Sequence, residues 1–262
     1  MLLVIDIGNT HTTFGIFDKD QLRATWRLTT GIHRTIDEYA SVVFNLLQLR
    51  GLDKSDITDA ALCSVVPPVS PTFVQLFEVY FGISTFIVGA GVKTGVRIRM
   101  DNPREVGPDR IADAAAAHHL YSGQSLIIIG FGTATTFNVV NREGDYLGGA
   151  IAPGINTAAE ALFGRTAMLP RVELIAPKRA IGSNTIAAMQ SGIMLGYLGL
   201  VEGMVARLQK ELGEKATVVA TGGMAHLIAK QTPVIDIINT DLTLIGIMLI
   251  YRMNKSQGKE RQ

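Results

Sequence analysis

Two stretches of this chain repeat one pattern: an apolar run, a turn rich in glycine and hydroxyl residues, and a second alternating run. The first copy is Leu3-Val4-Ile5-Asp6-Ile7-Gly8-Asn9-Thr10, and the second is Ile127-Ile128-Ile129-Gly130-Phe131-Gly132-Thr133-Ala134. Short apolar runs that end at glycine are typical of buried strands, so each copy predicts a strand, a tight turn and a second strand. The two copies differ in the presence of a charged residue at one position. A carboxylate, Asp6, lies two residues before the glycine of the first copy, and Gly130 stands in the matching place of the second.

The composition excludes several classes of protein. Hydrophobic residues make up 47% of the 262 residues, which is ample for the core of one or two domains. Lys and Arg number 24 against 23 for Asp and Glu, so the charge gives no indication of nucleic acid or of a membrane surface as a partner. The single cysteine, Cys63, cannot form an intrachain disulfide, which fits a reducing compartment.

The N-terminal apolar run is not expected to be a signal peptide. The N-terminal apolar run contains Asp6 and has no preceding basic region, unlike a signal peptide. The apolar run at residues 242–251 is too short to span a bilayer. We therefore expect a soluble, cytoplasmic protein that does not interact with a membrane. The last nine residues, 254–262, are polar and are expected to fray.

Hydrophobic periodicity predicts two similar halves, each a three-strand meander followed by alternating helices and strands. In the first half, strands are predicted at 2–7, 12–17, 22–28, 60–66, 85–88 and 96–100, and helices at 37–49, 71–81 and 106–121. In the second half, strands are predicted at 125–131, 135–140, 146–151 and 217–221, and helices at 157–163, 184–212, 224–230 and 242–254. We expect an N-terminal domain of residues 1–115 and a C-terminal domain of residues 116–262.

Duplicated strand–turn–strand units with an acidic residue at a strand end resemble the actin-like ATPase superfamily, which includes sugar kinases and Hsp70. The resemblance implies a duplicated α/β fold of the ribonuclease H-like type, with two similar domains and a nucleotide cleft between them. In that superfamily the two glycine hairpins grip the phosphates of ATP from either side.

The order of the motifs narrows the resemblance to type III pantothenate kinases. The motifs are Asp6-Ile7-Gly8-Asn9-Thr10, Asn102-Pro103, Gly107-Pro108-Asp109-Arg110, Gly132-Thr133-Ala134-Thr135-Thr136 and Ser183-Asn184-Thr185. The similarity extends from residue 1 to about residue 253. It implies ATP-dependent phosphorylation of pantothenate to 4'-phosphopantothenate, the first step of coenzyme A biosynthesis. It also implies a homodimer whose pantothenate pocket is completed at the subunit interface.

The first hairpin suits phosphate binding. Gly8 lets backbone N–H groups approach phosphate oxygens, Thr10 and Thr12 offer hydroxyl donors, and Asp6 is suited to holding Mg²⁺ directly or through water. The alternative is a tight structural hairpin with a capping aspartate. The ATP-binding residues implied by the resemblance are Asp6, Ile7, Gly8, Asn9, Thr10, His11, Thr12, Thr13 and, in the second hairpin, Thr133.

Asp109 is the residue expected to carry catalysis, because the resemblance implies that it accepts the proton of the pantothenate hydroxyl. Arg110 offers donors in a fixed arrangement that can clamp the pantothenate carboxylate. The alternative is an Asp–Arg pair that caps the following helix. Thr185 is either a substrate donor or a neighbour of the helix-capping residue Asn184. The implied substrate-binding residues are Met100, Gly107, Pro108, Asp109, Arg110 and Thr185.

Gly130 departs from the family pattern. The second hairpin of the family opens with an aspartate that is associated with a monovalent cation, K⁺ or ammonium, whereas Gly130 offers only a backbone carbonyl. Three interpretations follow: an enzyme that needs no such cation, a weakened enzyme, or a nucleotide-binding or regulatory protein that has kept the fold. A related sugar or acyl-phosphate kinase is a further alternative, but it would lack the Gly107–Arg110 motif.

Overall fold

The computed structural model describes residues 1–258. These residues form two compact units. The first unit comprises Met1–Val96, Asp101–His119 and the C-terminal helix, and the second comprises Arg97–Met100 and Leu120–Asp241.

The first unit is built on a five-stranded sheet. Its strands are β1 (Leu2–Ile7), β2 (His11–Asp18), β3 (Gln21–Thr29), β4 (Asp59–Ser64) and β5 (Thr85–Ile87), in the spatial order β3-β2-β1-β4-β5. The first three strands form an antiparallel meander, and β4 and β5 run parallel to β1. The central strand β1 is buried on both faces, which explains its continuous apolar run.

Helices cover both faces of this sheet. They are α1 (Ile36–Gln48), α2 (Ser70–Leu76), which continues as a π-helical turn over Phe77–Phe81, and α3 (Pro108–Leu120). The start of α1 is fixed by a capping box, in which Thr35 and Glu38 each accept a backbone N–H of the other. The helices α1 and α2 pack on one face of β1, and α3 packs on the other.

The second unit repeats the same plan with one added strand. Its strands are β6 (Arg97–Ile98), β7 (Leu126–Phe131), β8 (Ala134–Val140), β9 (Asp145–Pro153), β10 (Thr217–Thr221) and β11 (Ile237–Ile238), in the order β11-β10-β7-β8-β9-β6. Apart from β6, this is the strand order of the first unit. Its helices are α4 (Ile155–Gly164), α5 (Thr185–Leu212) and α6 (Ala225–Ala229).

The pairing registers confirm that Asp6 and Gly130 occupy equivalent places. Asp6 is the fifth residue of β1 and pairs with Thr13 of β2 and Cys63 of β4. Gly130 is the fifth residue of β7 and pairs with Thr136 of β8 and Thr221 of β10. The predicted duplication is therefore present in the strand topology as well as in the sequence.

The last helix, α7 (Leu242–Gly258), belongs to the first unit, where it packs on β1 and β4. The two units therefore differ from the domains predicted as residues 1–115 and 116–262, because a helix that is distant in sequence completes the core of the first unit. Residues 254–258, predicted to fray, are helical. The rest of that predicted tail, residues 259–262, lies outside the described residues.

Candidate active site

The first hairpin forms a tight turn around Gly8. Its backbone N–H donates to the carbonyl of His11 at 3.0 Å, and the hydroxyl of Thr30 donates to the Gly8 carbonyl at 2.7 Å. A Cβ added at Gly8 would lie 3.1 Å from the His11 carbonyl oxygen. Glycine therefore keeps the turn tight, as the sequence predicted, while Asn9 and Thr10 are exposed at its tip.

Two of the residues predicted to bind ATP point into the protein. Ile7 is fully buried, and its carbonyl accepts the N–H of Val65. Thr12 is also fully buried, and its hydroxyl lies 3.0 Å from the hydroxyl of Thr30 in a hydrogen bond. These side chains support the turn from within. His11 is exposed and Thr13 is partly exposed, so their side chains remain at the surface.

Three carboxyl groups interact electrostatically in the first unit: Asp6 at the end of β1, and Asp109 and Asp113 on α3. Burial and the charge of Asp109 raise the pKa of Asp6 to about 7, and Arg27 opposes this shift. Burial also raises the pKa of Asp109 above its ordinary value. Three acidic groups therefore share a region in which burial and mutual repulsion oppose their ionisation, and perturbed carboxyl groups of this kind are common in sites that bind cations or transfer protons.

The carboxylate of Asp109 is held in place by the start of α3. It accepts hydrogen bonds from the backbone N–H of Arg110 and from its own backbone N–H, and together with the charge of Arg110 these bonds lower its pKa against the effect of burial. A Cβ added at Gly107 would lie 2.5 Å from Oδ1 of Asp109, so this glycine makes room for the carboxylate. The predicted capping role is therefore present. It does not exclude catalysis, because an ionised carboxylate has about four acceptor sites.

The second hairpin lies against the start of α4. The carbonyl of Thr133 accepts the N–H of Gly154 at 3.0 Å and the hydroxyl of Thr157 at 2.7 Å. A Cβ at Gly154 would lie 2.2 Å from the Gly132 carbonyl oxygen, so only glycine permits this approach. Thr157 was not among the predicted site residues, although a hydroxyl in the first turn of a helix that follows Pro153-Gly154 was a usable signal.

The residue that follows strand β10 also lies close to the start of the second hairpin. Gly222 follows β10 with a φ of +93°, and a Cβ there would lie 2.5 Å from the carbonyl oxygen of Phe131. Both the left-handed backbone and the close contact require glycine. The turn at Gly132-Thr133, the start of α4 and Gly222 thus form one group within the second unit.

The space beside Gly130 is bordered by a neutral side chain. The neighbouring hydroxyl is that of Thr136, which would lie 2.7 Å from a Cβ at Gly130. Asn138 nearby is fully buried and accepts the hydroxyl of Tyr146 at 2.8 Å. Over the described part of the chain, no group of three or more His, Cys, Asp or Glu residues is arranged to hold a metal ion.

The remaining predicted substrate residues lie in the second unit. Met100 follows β6, and a Cβ added at Gly148 would lie 3.8 Å from its side chain. Thr185 is the exposed first residue of α5, and Asn184 caps that helix by accepting the N–H of Ala187 at 2.9 Å. The structure therefore brings Asp6 and Gly107–Arg110 together in the first unit, and places Met100, Thr133 and Thr185 in the second.

An apolar groove of about 860 Å³ runs along α5 and is lined on its other side by α4. Along this groove, α5 exposes a stripe of small residues, of which the first three line the groove: Ala188, Gly192, Gly196 and Gly199. By length and composition α5 could also cross a membrane, with 33% of its most apolar window buried. This is weak evidence for a membrane span, because a core helix of a soluble protein passes the same test.

Residues 2–207 match the family model described as type III pantothenate kinase. The chain belongs to the type III pantothenate kinase family. Among curated relatives, a type III pantothenate kinase of Dehalococcoides mccartyi is 54% identical over 97% of this chain and 96% of its own length. The same enzyme from another strain of that species is 52% identical over 97% of this chain and 98% of its own.

Solved structures with low sequence identity share the fold. A protein from Campylobacter jejuni described as a Baf family transcriptional activator has a TM-score of 0.60 at 17% identity, covering 97% of this chain and 99% of its own. An ATP-glucomannokinase from Arthrobacter has a TM-score of 0.51 at 13% identity, covering 96% and 98%. A ROK hexokinase from Thermus thermophilus has a TM-score of 0.50 at 15% identity, covering 96% and 99%. The predicted duplicated actin-like fold of a type III pantothenate kinase is thus confirmed.

Proposed function

We propose that this protein transfers the γ-phosphoryl group of ATP to pantothenate, giving 4'-phosphopantothenate and ADP in the first step of coenzyme A biosynthesis. The observation that carries the proposal is the Gly107–Arg110 segment, which presents the Asp109 carboxylate close to Asp6 in a chain that belongs to this family. A related sugar or acyl-phosphate kinase would not need this segment.

Asp109 orients the hydroxyl of pantothenate and accepts its proton. As the new bond forms between the hydroxyl oxygen and the γ-phosphorus, the bond from that phosphorus to the β,γ-bridging oxygen breaks and ADP leaves with the electron pair. Phosphoryl transfer is largely dissociative, so the nucleophile needs orientation more than early deprotonation. The raised pKa of Asp109 makes it a better proton acceptor near neutral pH than an ordinary aspartate.

The other substrate contacts divide between the two units. Arg110 binds the pantothenate carboxylate, and Gly107 and Pro108 shape the backbone around Asp109. In the second unit, Met100 borders the pocket and Thr185 donates its hydroxyl to substrate. The exposed position of Thr185 at the start of α5 supports this role.

ATP phosphates are held by the two hairpins. The exposed turn at Gly8, Asn9 and Thr10 offers backbone N–H groups and a hydroxyl, with His11 and Thr13 beside it. Thr133 offers the corresponding donors in the second hairpin. Ile7 and Thr12 contribute through the backbone and by supporting the turn, since both side chains are buried.

Asp6 fits a magnesium ion. Its carboxyl group shares a partly buried region with that of Asp109, whose charge raises the pKa of Asp6, and a bound divalent cation would relieve this repulsion. Mg²⁺ commonly uses one or two protein carboxylates together with substrate phosphates and water, so a dedicated cage of side chains is not needed. When bound, the ion would neutralise charge on the ATP phosphates.

The residues around Gly130 do not fit the monovalent cation of the family. The position provides a backbone carbonyl only, and its neighbours Thr136 and Asn138 are neutral. We therefore assign no step of the reaction to K⁺ or ammonium.

A homodimer is proposed through the exposed stripe of α5. The helix leaves its small residues and the adjoining apolar groove uncovered, and an apolar surface of this kind favours a protein partner. A second copy of the chain would cover it and would place its own residues near Thr185. We also propose a cytoplasmic location, where the buried thiol of Cys63 stays reduced.

Gly130 favours one second candidate, a weakened or inactive homologue that acts as a nucleotide-binding or regulatory protein. A coupled assay of ATP consumption with and without pantothenate separates the two. Stimulation by pantothenate supports the kinase. ATP binding without any stimulation, over several added cations, supports the second candidate.

A further inference from the structure

The helices α3 and α7 of the first unit touch backbone to backbone. A Cβ added at Gly246 of α7 would lie 1.9 Å from the carbonyl oxygen of Ala112 and 2.5 Å from its carbonyl carbon. No side chain separates the two helices at this crossing. The two backbones are therefore already close-packed at this crossing and cannot move closer.

A partly buried hydrogen bond joins the two helices at the same crossing. The hydroxyl of Thr243 donates to Oδ1 of Asp113 at 2.6 Å. Asp113 is 6% exposed and follows Ala112 directly, and Thr243 lies one helical turn before Gly246. A buried carboxyl group without a partner is costly, so this hydrogen bond favours the position at which the two side chains meet.

Asp113 connects this crossing to the reacting group. It lies four residues after Asp109 on α3, so both side chains project from the same face of the helix one turn apart. Asp109 and Asp6 both act on Asp113 electrostatically, which places the three carboxyl groups in one region. A shift of α3 along α7 would move the Asp109 carboxylate with it.

We propose that Thr243 and Asp113 form a positioning pair, which holds α3 against α7 at the one place where the Asp109 carboxylate is correctly aligned relative to Asp6. Neither residue touches the substrate. The effect on turnover rests on the proposed function, since it assumes that Asp109 orients the substrate hydroxyl. The effect on the position of α3 does not depend on that assumption.

The first test measures the helix directly in the protein without substrate. Thr243→Val removes the hydroxyl and keeps the shape, and Thr243→Ser keeps the hydroxyl and serves as the matched control. Hydrogen exchange of the amides of residues 111–113, in the first turns of α3, is compared in both variants. We expect about tenfold faster exchange in Thr243→Val and near-native exchange in Thr243→Ser, with amides of α1 unchanged in both.

The second test separates positioning from general stability. We expect Thr243→Val to lower kcat about tenfold or more with the KM for ATP unchanged, because small misplacements of a reacting group are costly. Thr243→Ser should retain kcat within about twofold.

The outcomes are distinguishable. Equal exchange and equal kcat in Thr243→Val and Thr243→Ser would overturn the proposal, and so would a loss in Thr243→Val that falls on the KM for ATP alone. If the wild-type protein makes no phosphopantothenate, the proposed function fails, and the exchange comparison still decides whether the pair positions α3.

Discussion

The carboxylate of Asp109 fills the space that a side chain at Gly107 would need. A Cβ at Gly107 would lie 2.5 Å from Oδ1 of Asp109, and the next nearest atom outside that carboxyl group, on Val65, is 3.8 Å away. The observed position of the Asp109 side chain therefore requires glycine at position 107. Its backbone does not adopt the left-handed conformation that would itself demand glycine.

Gly107→Ala is therefore expected to displace the Asp109 carboxylate and to lower kcat by about tenfold or more, with little effect on the fold. The matched control is Gly89→Ala, because a Cβ at Gly89 meets no atom within 4 Å. Steady-state kinetics of both variants provide the measurement. Equal activity of the two would mean that the close contact has no part in positioning Asp109.

Gly130→Asp is expected to create a dependence on a monovalent cation, which we expect the natural chain to lack. The backbone accepts the change, since Gly130 has no left-handed φ, and the Thr136 hydroxyl at 2.7 Å from the new Cβ can rotate away. Activity is titrated with KCl against NaCl in the natural protein, in Gly130→Asp and in the control Gly130→Ala. Strong activation of the natural protein by K⁺, unchanged in the aspartate variant, would place the cation site elsewhere.

The raised pKa of Asp6 predicts how stability depends on pH in the metal-free protein. Between about pH 4 and pH 7 the unfolded carboxyl group is ionised while the folded one keeps its proton, so the free energy of unfolding falls as pH rises through this window. Asp109 and Asp113, whose pKa values are also raised, act in the same direction.

Asp6→Asn should flatten this fall, because an amide does not ionise. Urea unfolding at pH 5 and pH 8 measures the difference, and Asp101→Asn, at an exposed position, should behave as the wild-type protein. A fall of the same size in Asp6→Asn and in the wild type would show that the burial of Asp6 does not govern the pH dependence.

The exposed stripe of α5 predicts a dimer that a bulky charge should break. Gly196→Arg places a long cation where close approach of a partner helix is expected, whereas Gln48→Arg adds the same charge to an exposed position of α1. Light scattering should give about twice the 28.2 kDa of one chain for the wild type and for Gln48→Arg, and one chain for Gly196→Arg. A wild-type mass of one chain at micromolar concentration would contradict the proposed interface.

Local sequence patterns predicted the strands, turns and helices whose formation depends on residues close together in the chain. The strand β1 and the turn at Gly8 follow from an apolar run, a glycine and an alternating run, and the long helix α5 follows from its periodicity and its capping residue Asn184. The resemblance carried by the motif order made Asp109 the candidate catalytic residue, which stays a prediction. The motif order could not explain why glycine stands at position 107, because the reason is the space that the Asp109 carboxylate occupies.

Features that depend on distant segments were not predicted. The strand β11 has two residues, too few for a period to appear. The return of α7 to the first unit, and the pairing of Thr243 with Asp113 over 130 residues, arise from packing against β1 and β4 and leave no trace in the local pattern. Thr157 was missed because its hydroxyl acts on a carbonyl of another element.

The central claim is that phosphorylation of pantothenate by this protein requires the Asp109 carboxylate. The direct measurement is mass spectrometry of the product formed from pantothenate and Mg-ATP by the wild-type protein and by Asp109→Asn, which keeps the shape of the side chain and loses its charge. We predict 4'-phosphopantothenate from the wild type and a rate lower by about 10²-fold or more from the variant, with ATP binding retained. No product from the wild type under several added cations, or equal rates from the two proteins, would contradict the account.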